Sequence, residues 1–207
     1  MRYKRNYNMK IILIGASGTI GSHIAGALEK DHQLVKVGSK SGDLHININD
    51  PVSIKAMYDE VGTFDALVCA AGDGYFGPFK SMTDANFRTS VDGKLMSQVN
   101  LVLIGQHYIA PKGSFTLTSG TLANDPVPFA ASLSAVNAAI NGFVRGAAIE
   151  LEQNVRINAV APGVIEASPG YFPYFPGHIP ASMHRVTQAY VRSVLGSRTG
   201  ETFTVTG

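Results

Sequence analysis

Lys10-Ile11-Ile12-Leu13-Ile14-Gly15-Ala16-Ser17-Gly18-Thr19-Ile20-Gly21 is the stretch that decides how this chain is built. Lys10–Ile14 is a short apolar run rich in β-branched residues, and Gly15 stops it. Such a run reads as a strand buried on both faces, the kind that parallel sheets use. From Thr19 to Lys30 the apolar residues fall at Ile20, Ile24, Ala27 and Leu28, which is helical spacing. Glycine is needed where a chain turns sharply and where backbone must approach a phosphate. The free N–H groups at a helix start then favour an anion. In this strand–turn–helix setting, Gly15–Gly21 points to the pyrophosphate of a dinucleotide. A glycine turn without a ligand is the other reading.

Outward from this unit the pattern alternates. Strands are expected at Leu34–Val37, Leu44–Ile48, Ala66–Ala70, Ser114–Thr118, Val155–Val160 and Thr202–Val205. Between them, helices are expected from Pro51 to near Gly62, then over Thr83–Leu103, Phe129–Gln153 and Ala181–Leu195. Asp50 is the expected N-cap of the first of these, with Pro51 at its first position. Strands alternating with helices of this length specify βαβ units. Right-handed crossovers then give a doubly wound parallel sheet of α/β class, a Rossmann fold in three αβα layers. One dinucleotide-binding domain is expected over residues 9–207, behind a flexible leader Met1–Asn8.

Composition narrows the function. Of 207 residues, 45% are hydrophobic and 15% charged, which suits a packed core and not a disordered chain. The net charge is only +2, and the one basic cluster, Arg2, Lys4 and Arg5, lies in the leader. Nucleic acid is therefore not an expected partner. No apolar stretch approaches the roughly 20 residues of a membrane span, so no membrane role is expected. The single cysteine, Cys69, lies in an apolar run, reads as a small buried hydrophobe and fits a reducing cytoplasm. His178 and His184 lack companions at metal-ligand spacing, so no metal site is expected.

The end of the second strand reads the cofactor. A site for NAD wants an acid there for the ribose 2′-hydroxyl. Here the sequence runs Gly38-Ser39-Lys40-Ser41, with no acid between Asp31 and Asp43. Lys40 and the serines suit a 2′-phosphate, which favours NADP(H) over NAD(H). An ordinary polar turn with a solvated Lys40 is the alternative.

From Met9 onward the chain resembles the short-chain dehydrogenase/reductase family. The resemblance rests on the loop Gly15–Gly21, on Cys69-Ala70-Ala71-Gly72 at the family's Asn-Ala-Gly motif, and on Ser119 after the fifth strand. Arg156-Ile157-Asn158-Ala159-Val160-Ala161-Pro162-Gly163 and Thr199–Val205 complete it. The resemblance implies that Gly15, Ser17, Thr19 and Ile20 touch phosphates and ribose, and that Ser39 and Lys40 meet the 2′-phosphate. It places Asn47 and Ile48 beside adenine, with Asn47 replacing the usual Asp. It also places Ala70, Ala71 and Gly72 by the adenosine-side ribose, and Pro162, Gly163 and Val164 at the nicotinamide end. The glycine spacing departs from the family, which puts glycine where Thr19 stands. The family further implies a homodimer or homotetramer through helices 83–103 and 129–153.

Two departures matter more. The family protonates its substrate oxygen with a Tyr-x-x-x-Lys pair, the lysine lowering the tyrosine pKa. The matching positions here are Leu133 and Asn137, and no tyrosine occurs from Pro111 to Gly170. The family's relay Asn, counted from Phe87, falls on Lys94. Lys94 reads either as charge returned near the nicotinamide or Ser119, or as a lysine with a solvated head. Ser119 reads as a substrate-orienting hydroxyl or as a polar strand exit. Tyr171-Phe172-Pro173-Tyr174-Phe175-Pro176 reads as an apolar lid, or as a loop packed on the core or a neighbouring subunit. Two functions fit. One is an NADP(H)-dependent oxidoreductase on a small carbonyl or enone, with Ser119 and Lys94 as catalytic candidates and an altered proton donor. The other is a non-catalytic NADP-binding protein, a redox-responsive regulator or an assembly subunit. A structural subunit that holds no cofactor is a weaker third.

Overall fold

A lysine and four buried aliphatic residues, Lys10–Ile14, form strand β1, flanked by β2 (Gln33–Gly38) and β4 (Phe64–Cys69). The computed structural model describes residues 8–207, so the expected leader lies outside it except for Asn8. The remaining strands are β3 (Leu44–His45), β5 (Ile109–Thr118), β6 (Arg156–Pro162) and β7 (Thr202–Val205). All pair in parallel, in the order β3-β2-β1-β4-β5-β6-β7. Strand order reverses between β1 and β4, the place where doubly wound sheets bind ligands.

The period-2 pattern of the strands sorts their side chains into two cores. Ile12, Ile14, Leu67 and Cys69 pack on one face with Leu101 and Val102 of α4 (Ser97–Gly105) and Ile140 and Val144 of α5 (Ala131–Glu150). Ile11, Leu13, Ala66 and Val68 pack on the other with α1 (Thr19–Leu28) and α6 (Met183–Leu195). The expected three layers are present. Cys69 is fully buried, and burial pushes its thiol pKa up to about 11.

Local chemistry sets the boundaries. Asp50 caps α2 (Pro51–Val61) by accepting from Val52 N at 2.9 Å. Thr83 caps α3 (Asp84–Ser90) in a capping box with Asn86. The expected strand Leu44–Ile48 stops at His45, because Asn47 Oδ1 accepts from Asn49 N and the Asn47 carbonyl accepts from Asp50 N. The expected helix Phe129–Gln153 is shorter at both ends. Phe129 and Gln153 have φ of 71° and 54°, which a right-handed helix excludes. The last helix begins at Met183, since Ser182 is its cap and accepts from Arg185 N.

One correction bears on function. The expected continuous helix Thr83–Leu103 contains a π-helical turn at Val91–Met96, between α3 and α4. The Gly93 carbonyl accepts from Asp73 N and from Ser97 Oγ, each at 3.0 Å. A side chain at Gly93 would stand 3.0 Å from the Asp73 carbonyl, so glycine lets the loop after β4 come close. Single π turns concentrate at functional sites, and this one carries Lys94.

Candidate active site

At the C-terminal ends of the strands, the turn after β1 has the shape a phosphate needs. Gly15 has φ of 80°, and a Cβ there would stand 2.9 Å from both the Ala70 carbonyl oxygen and the Ala71 Cβ. A Cβ on Gly21 would fall on the Gly15 carbonyl oxygen. The start of α1 has no side-chain cap and no acid in its first turn, so its positive end is open to an anion. Ser17 Oγ accepts from Ser41 Oγ at 2.9 Å, which ties the glycine loop to the turn after β2. That turn presents Ser39 and an exposed Lys40. Asp43 is turned away, accepting from Lys36 N at 2.8 Å. Asn47 is exposed and Ile48 packs against the core. Ala70 N donates to the Ile14 carbonyl, and a Cβ on Gly72 would stand 3.2 Å from Lys94 Cγ.

A second set of residues meets in a cleft of about 290 Å³. Lys94, Ser119, Leu133 and Asn137 line it, together with Ile20 and the turn Pro162, Gly163 and Val164. The sequence thus places its two catalytic candidates and four of its cofactor candidates on one cleft. Lys94 Nζ donates to the Ser119 carbonyl at 3.3 Å. Lys94 is half-buried, packed by the protein over much of its length and open to the cleft in part. Burial lowers its pKa to about 8, against a small opposing effect of Cys69. Among the described residues no carboxylate pairs with Lys94. Ser119 is 2% exposed, and its Oγ has no hydrogen-bond partner.

Several members of this site carried no signal in the sequence. Gln98, fully buried on α4, accepts from Thr118 N at 2.7 Å and donates to the carbonyls of Thr118 and Lys94. It thereby fixes the π turn to β5. Thr118 Oγ1 donates to the Cys69 carbonyl and accepts from Tyr190 OH at 2.6 Å, which joins β4, β5 and α6 beneath the cleft. Phe76 was missed as well. It meets Phe129, Tyr171 and Tyr174 edge to face, at centroid distances of 5.1–6.1 Å.

The segment expected as a lid borders this cleft. Tyr171 and Phe175 line it, whereas Tyr174 packs on Phe76 and Phe129 outside the lining. His178 anchors the lid: its Nε2 lies 2.9 Å from Asp125 Oδ2 and its Nδ1 lies 3.2 Å from the Pro176 carbonyl. Both partners are acceptors, so imidazolium satisfies both, and Asp125 accordingly raises the His178 pKa. Among the described residues no group of three or more His, Cys, Asp or Glu could hold a metal, and no helix could cross a membrane.

Residues 18–176 match the family model described as enoyl-(acyl carrier protein) reductase. The chain belongs to the short-chain dehydrogenase/reductase family. The protein lin1944 from Listeria innocua is 42% identical to this family member, with a TM-score of 0.93 over 95% of this chain and 98% of that one. A small-chain dehydrogenase in complex with NADPH is 25% identical, with a TM-score of 0.85 over 97% of each chain. The peroxisomal 2,4-dienoyl-CoA reductase of Arabidopsis thaliana is 27% identical over 138 residues, which are 61% of this chain and 46% of that protein. This short-chain dehydrogenase/reductase thus spans about half the length of the dienoyl-CoA reductase it matches. The family is one of NAD(P)-dependent oxidoreductases.

Proposed function

We propose that the chain is an NADP(H)-dependent oxidoreductase for a small carbonyl or enone, with Lys94 as proton donor and Ser119 as the orienting hydroxyl. One observation carries this reading. The cleft between the Pro162–Val164 turn and the lid holds an uncompensated ammonium beside an unpartnered hydroxyl. A buried cation and a free O–H are what an oxygen gaining negative charge requires. NADPH, when bound, supplies the hydride. Lys94 Nζ then delivers a proton to the substrate oxygen, while Ser119 Oγ donates a hydrogen bond to the same atom. Leu133, Phe76 and the lid rings Tyr171 and Phe175 give the cleft an apolar lining that disfavours water. The test is to follow NADPH oxidation against aldehydes, ketones, quinones and enones, then repeat it with Ser119→Ala. The reading stands if an acceptor is turned over and the serine variant loses that turnover.

The glycine cradle and the open start of α1 fit a pyrophosphate, and the Ser39–Ser41 turn fits a 2′-phosphate. That NADPH accompanies a similar structure supports the choice of cofactor. Lys40→Ala should weaken NADPH binding about tenfold by removing a charge-assisted contact. It should leave NADH binding unchanged. Calorimetric titration with both nucleotides reads this, and equal losses for the two would refute the 2′-phosphate role.

Leu133 and Asn137 at the family's tyrosine and lysine positions favour a second reading, dinucleotide binding without turnover. It predicts NADPH binding and no acceptor in the same screen. In either case we place the protein in the cytoplasm, consistent with its one unpaired, buried cysteine. We also propose a homodimer or homotetramer through the segments 83–103 and 129–153, which hold the helices α3, α4 and α5. Phe87, Met96, Leu103 and Ile149 expose large apolar side chains on these helices, up to 86% for Ile149. Ile149→Glu should lower the mass seen by light scattering. An unchanged mass would remove this face from the interface.

A further inference from the structure

We infer that the substrate is a compact, uncharged aryl ketone or aryl aldehyde, an assignment that deepens the oxidoreductase reading above and rests on it. Rings form one wall of the cleft: Phe76 from the loop after β4, and Tyr171 and Phe175 from the lid. Their neighbours hold them in place. Phe76 meets Phe129 and Tyr174 edge to face, at centroid distances of 6.1 and 5.1 Å, and meets Tyr171 at 5.9 Å. The Phe129 carbonyl accepts from Gly77 N at 2.9 Å, which ties that ring to the loop of Phe76. Phe175 meets His178 at 5.5 Å, and His178 is itself held by Asp125 and the Pro176 carbonyl.

Rings set in advance cost a ligand little ordering. Tyr171 nonetheless keeps 51% of its surface exposed. An exposed ring at an apolar cleft is surface that a ligand covers. A ring in the ligand gains most there, because offset and edge-to-face ring contacts favour binding beyond the area they bury. Leu122, Leu133, Val164 and Ile165 add aliphatic surface to the lining.

Charge and size narrow the class further. Among the described residues that line the cleft, Lys94 is the only charged one. Its Nζ lies at the Ser119 carbonyl, which is the reacting end on the reading above. A carboxylate or phosphate elsewhere on the substrate would meet no cation, and burying such a charge unpaired is costly. The cleft holds about 290 Å³, and the nicotinamide end of the cofactor takes a share of it. A Cβ on Gly74 would overlap Leu133 Cδ2, so the leucine fills the space down to that loop. What remains suits a single ring with its carbonyl arm. The carbonyl carbon takes the hydride of NADPH, and its oxygen takes a proton from Lys94 Nζ, which solvent restores. The products are the aryl alcohol and NADP⁺.

The test follows NADPH oxidation with four ketones: acetophenone, cyclohexyl methyl ketone, 4-acetylbenzoate and 4-acetylbenzamide. The first two differ in the ring, the last two in charge at one shape. The KM for acetophenone should be about fivefold below that for the cyclohexyl ketone, the worth of one ring–ring contact. Phe76→Leu keeps an apolar side chain and removes the ring. It should raise the acetophenone KM to the cyclohexyl value, with kcat little changed. The benzoate should have a kcat/KM about tenfold or more below that of the benzamide, because its charge is buried unpaired. Ser168→Arg puts a cation on the same lining and should raise kcat/KM for the benzoate about tenfold, and not for the benzamide. A gain of this kind does not follow from damage to the fold. An acetophenone KM no lower than the cyclohexyl one would overturn the substrate class and leave the oxidoreductase reading standing. So would a wild type that turns over the benzoate as well as the benzamide, since Lys94 would then be an anion anchor. So would turnover confined to aliphatic enones or to a CoA thioester. No oxidation of NADPH by any acceptor would overturn the oxidoreductase reading itself, and the substrate class with it.

Discussion

Lys94→Met is expected to reduce NADPH-dependent turnover by about two to four orders of magnitude, the usual worth of a positioned general acid. The same change should raise the stability of the ligand-free protein. Methionine keeps the aliphatic stem and removes an ammonium that has no carboxylate partner among the described residues. Burial holds the Lys94 pKa near 8 against an ordinary 10.5. A depressed lysine pKa means that the folded state disfavours the charged form, so near neutral pH the ammonium costs about 2–3 kcal/mol of stability. The sign can be checked by pH. Between the folded value of about 8 and the unfolded value of 10.5, the unfolded chain holds more protons, so wild-type stability should climb through that window. Lys94→Met should not show the climb. Turnover should run the other way, because a proton donor must be protonated: reduction is level below about pH 8 and falls above it. Lys94→Arg keeps the charge and should erase the break near pH 8. Chemical denaturation and steady-state rates from pH 6 to about 10.5 measure both trends. An unchanged rate in Lys94→Met would remove this residue from the chemistry.

The sequence disclosed the frame of this argument and not its hinge. Lys10–Ile14 and the glycine turn are legible because strand burial, glycine freedom and helix spacing agree over a dozen neighbouring residues. Leu133 and Asn137 could be placed by counting along α5, since a helix keeps its register. Lys94 could be counted but not aimed. Its direction depends on the π turn at Val91–Met96, which rests on contacts with distant Asp73 and Thr118 that local pattern does not contain. The shortened third strand failed for a local reason, the side-chain hydrogen bond at Asn47, which competes with the ladder. Phe76 was invisible for the opposite reason. A lone aromatic in a loop acquires meaning only when Phe129, Tyr171 and Tyr174 arrive from other parts of the chain.

Two glycine-to-alanine changes five residues apart on α1 should have opposite signs. Gly26 has nothing within 4 Å of a built Cβ, so Gly26→Ala should stabilise the helix by about 0.5–1 kcal/mol through propensity alone. Gly21 gains the same propensity, but its Cβ falls on the Gly15 carbonyl oxygen. That oxygen is backbone and already accepts from Gly18 N at 3.0 Å, so no side-chain rotation relieves the clash. The turn after β1 must open, and Gly15 is pinned against Ala70 and Ala71 on its other side. The expected cost is about 3 kcal/mol, the upper range for overpacking. The functional loss should be larger than the loss of stability. On the proposed reading, an opened turn moves the N–H groups of Ser17, Thr19 and Ile20 away from the pyrophosphate, and several charge-assisted bonds weaken at once. NADPH affinity should therefore fall by more than about a hundredfold in Gly21→Ala, and not at all in Gly26→Ala. Thermal unfolding and calorimetric titration of the two variants side by side separate helix propensity from the shape of the cradle. If Gly21→Ala binds NADPH as the wild type does, the phosphates do not rest on this turn.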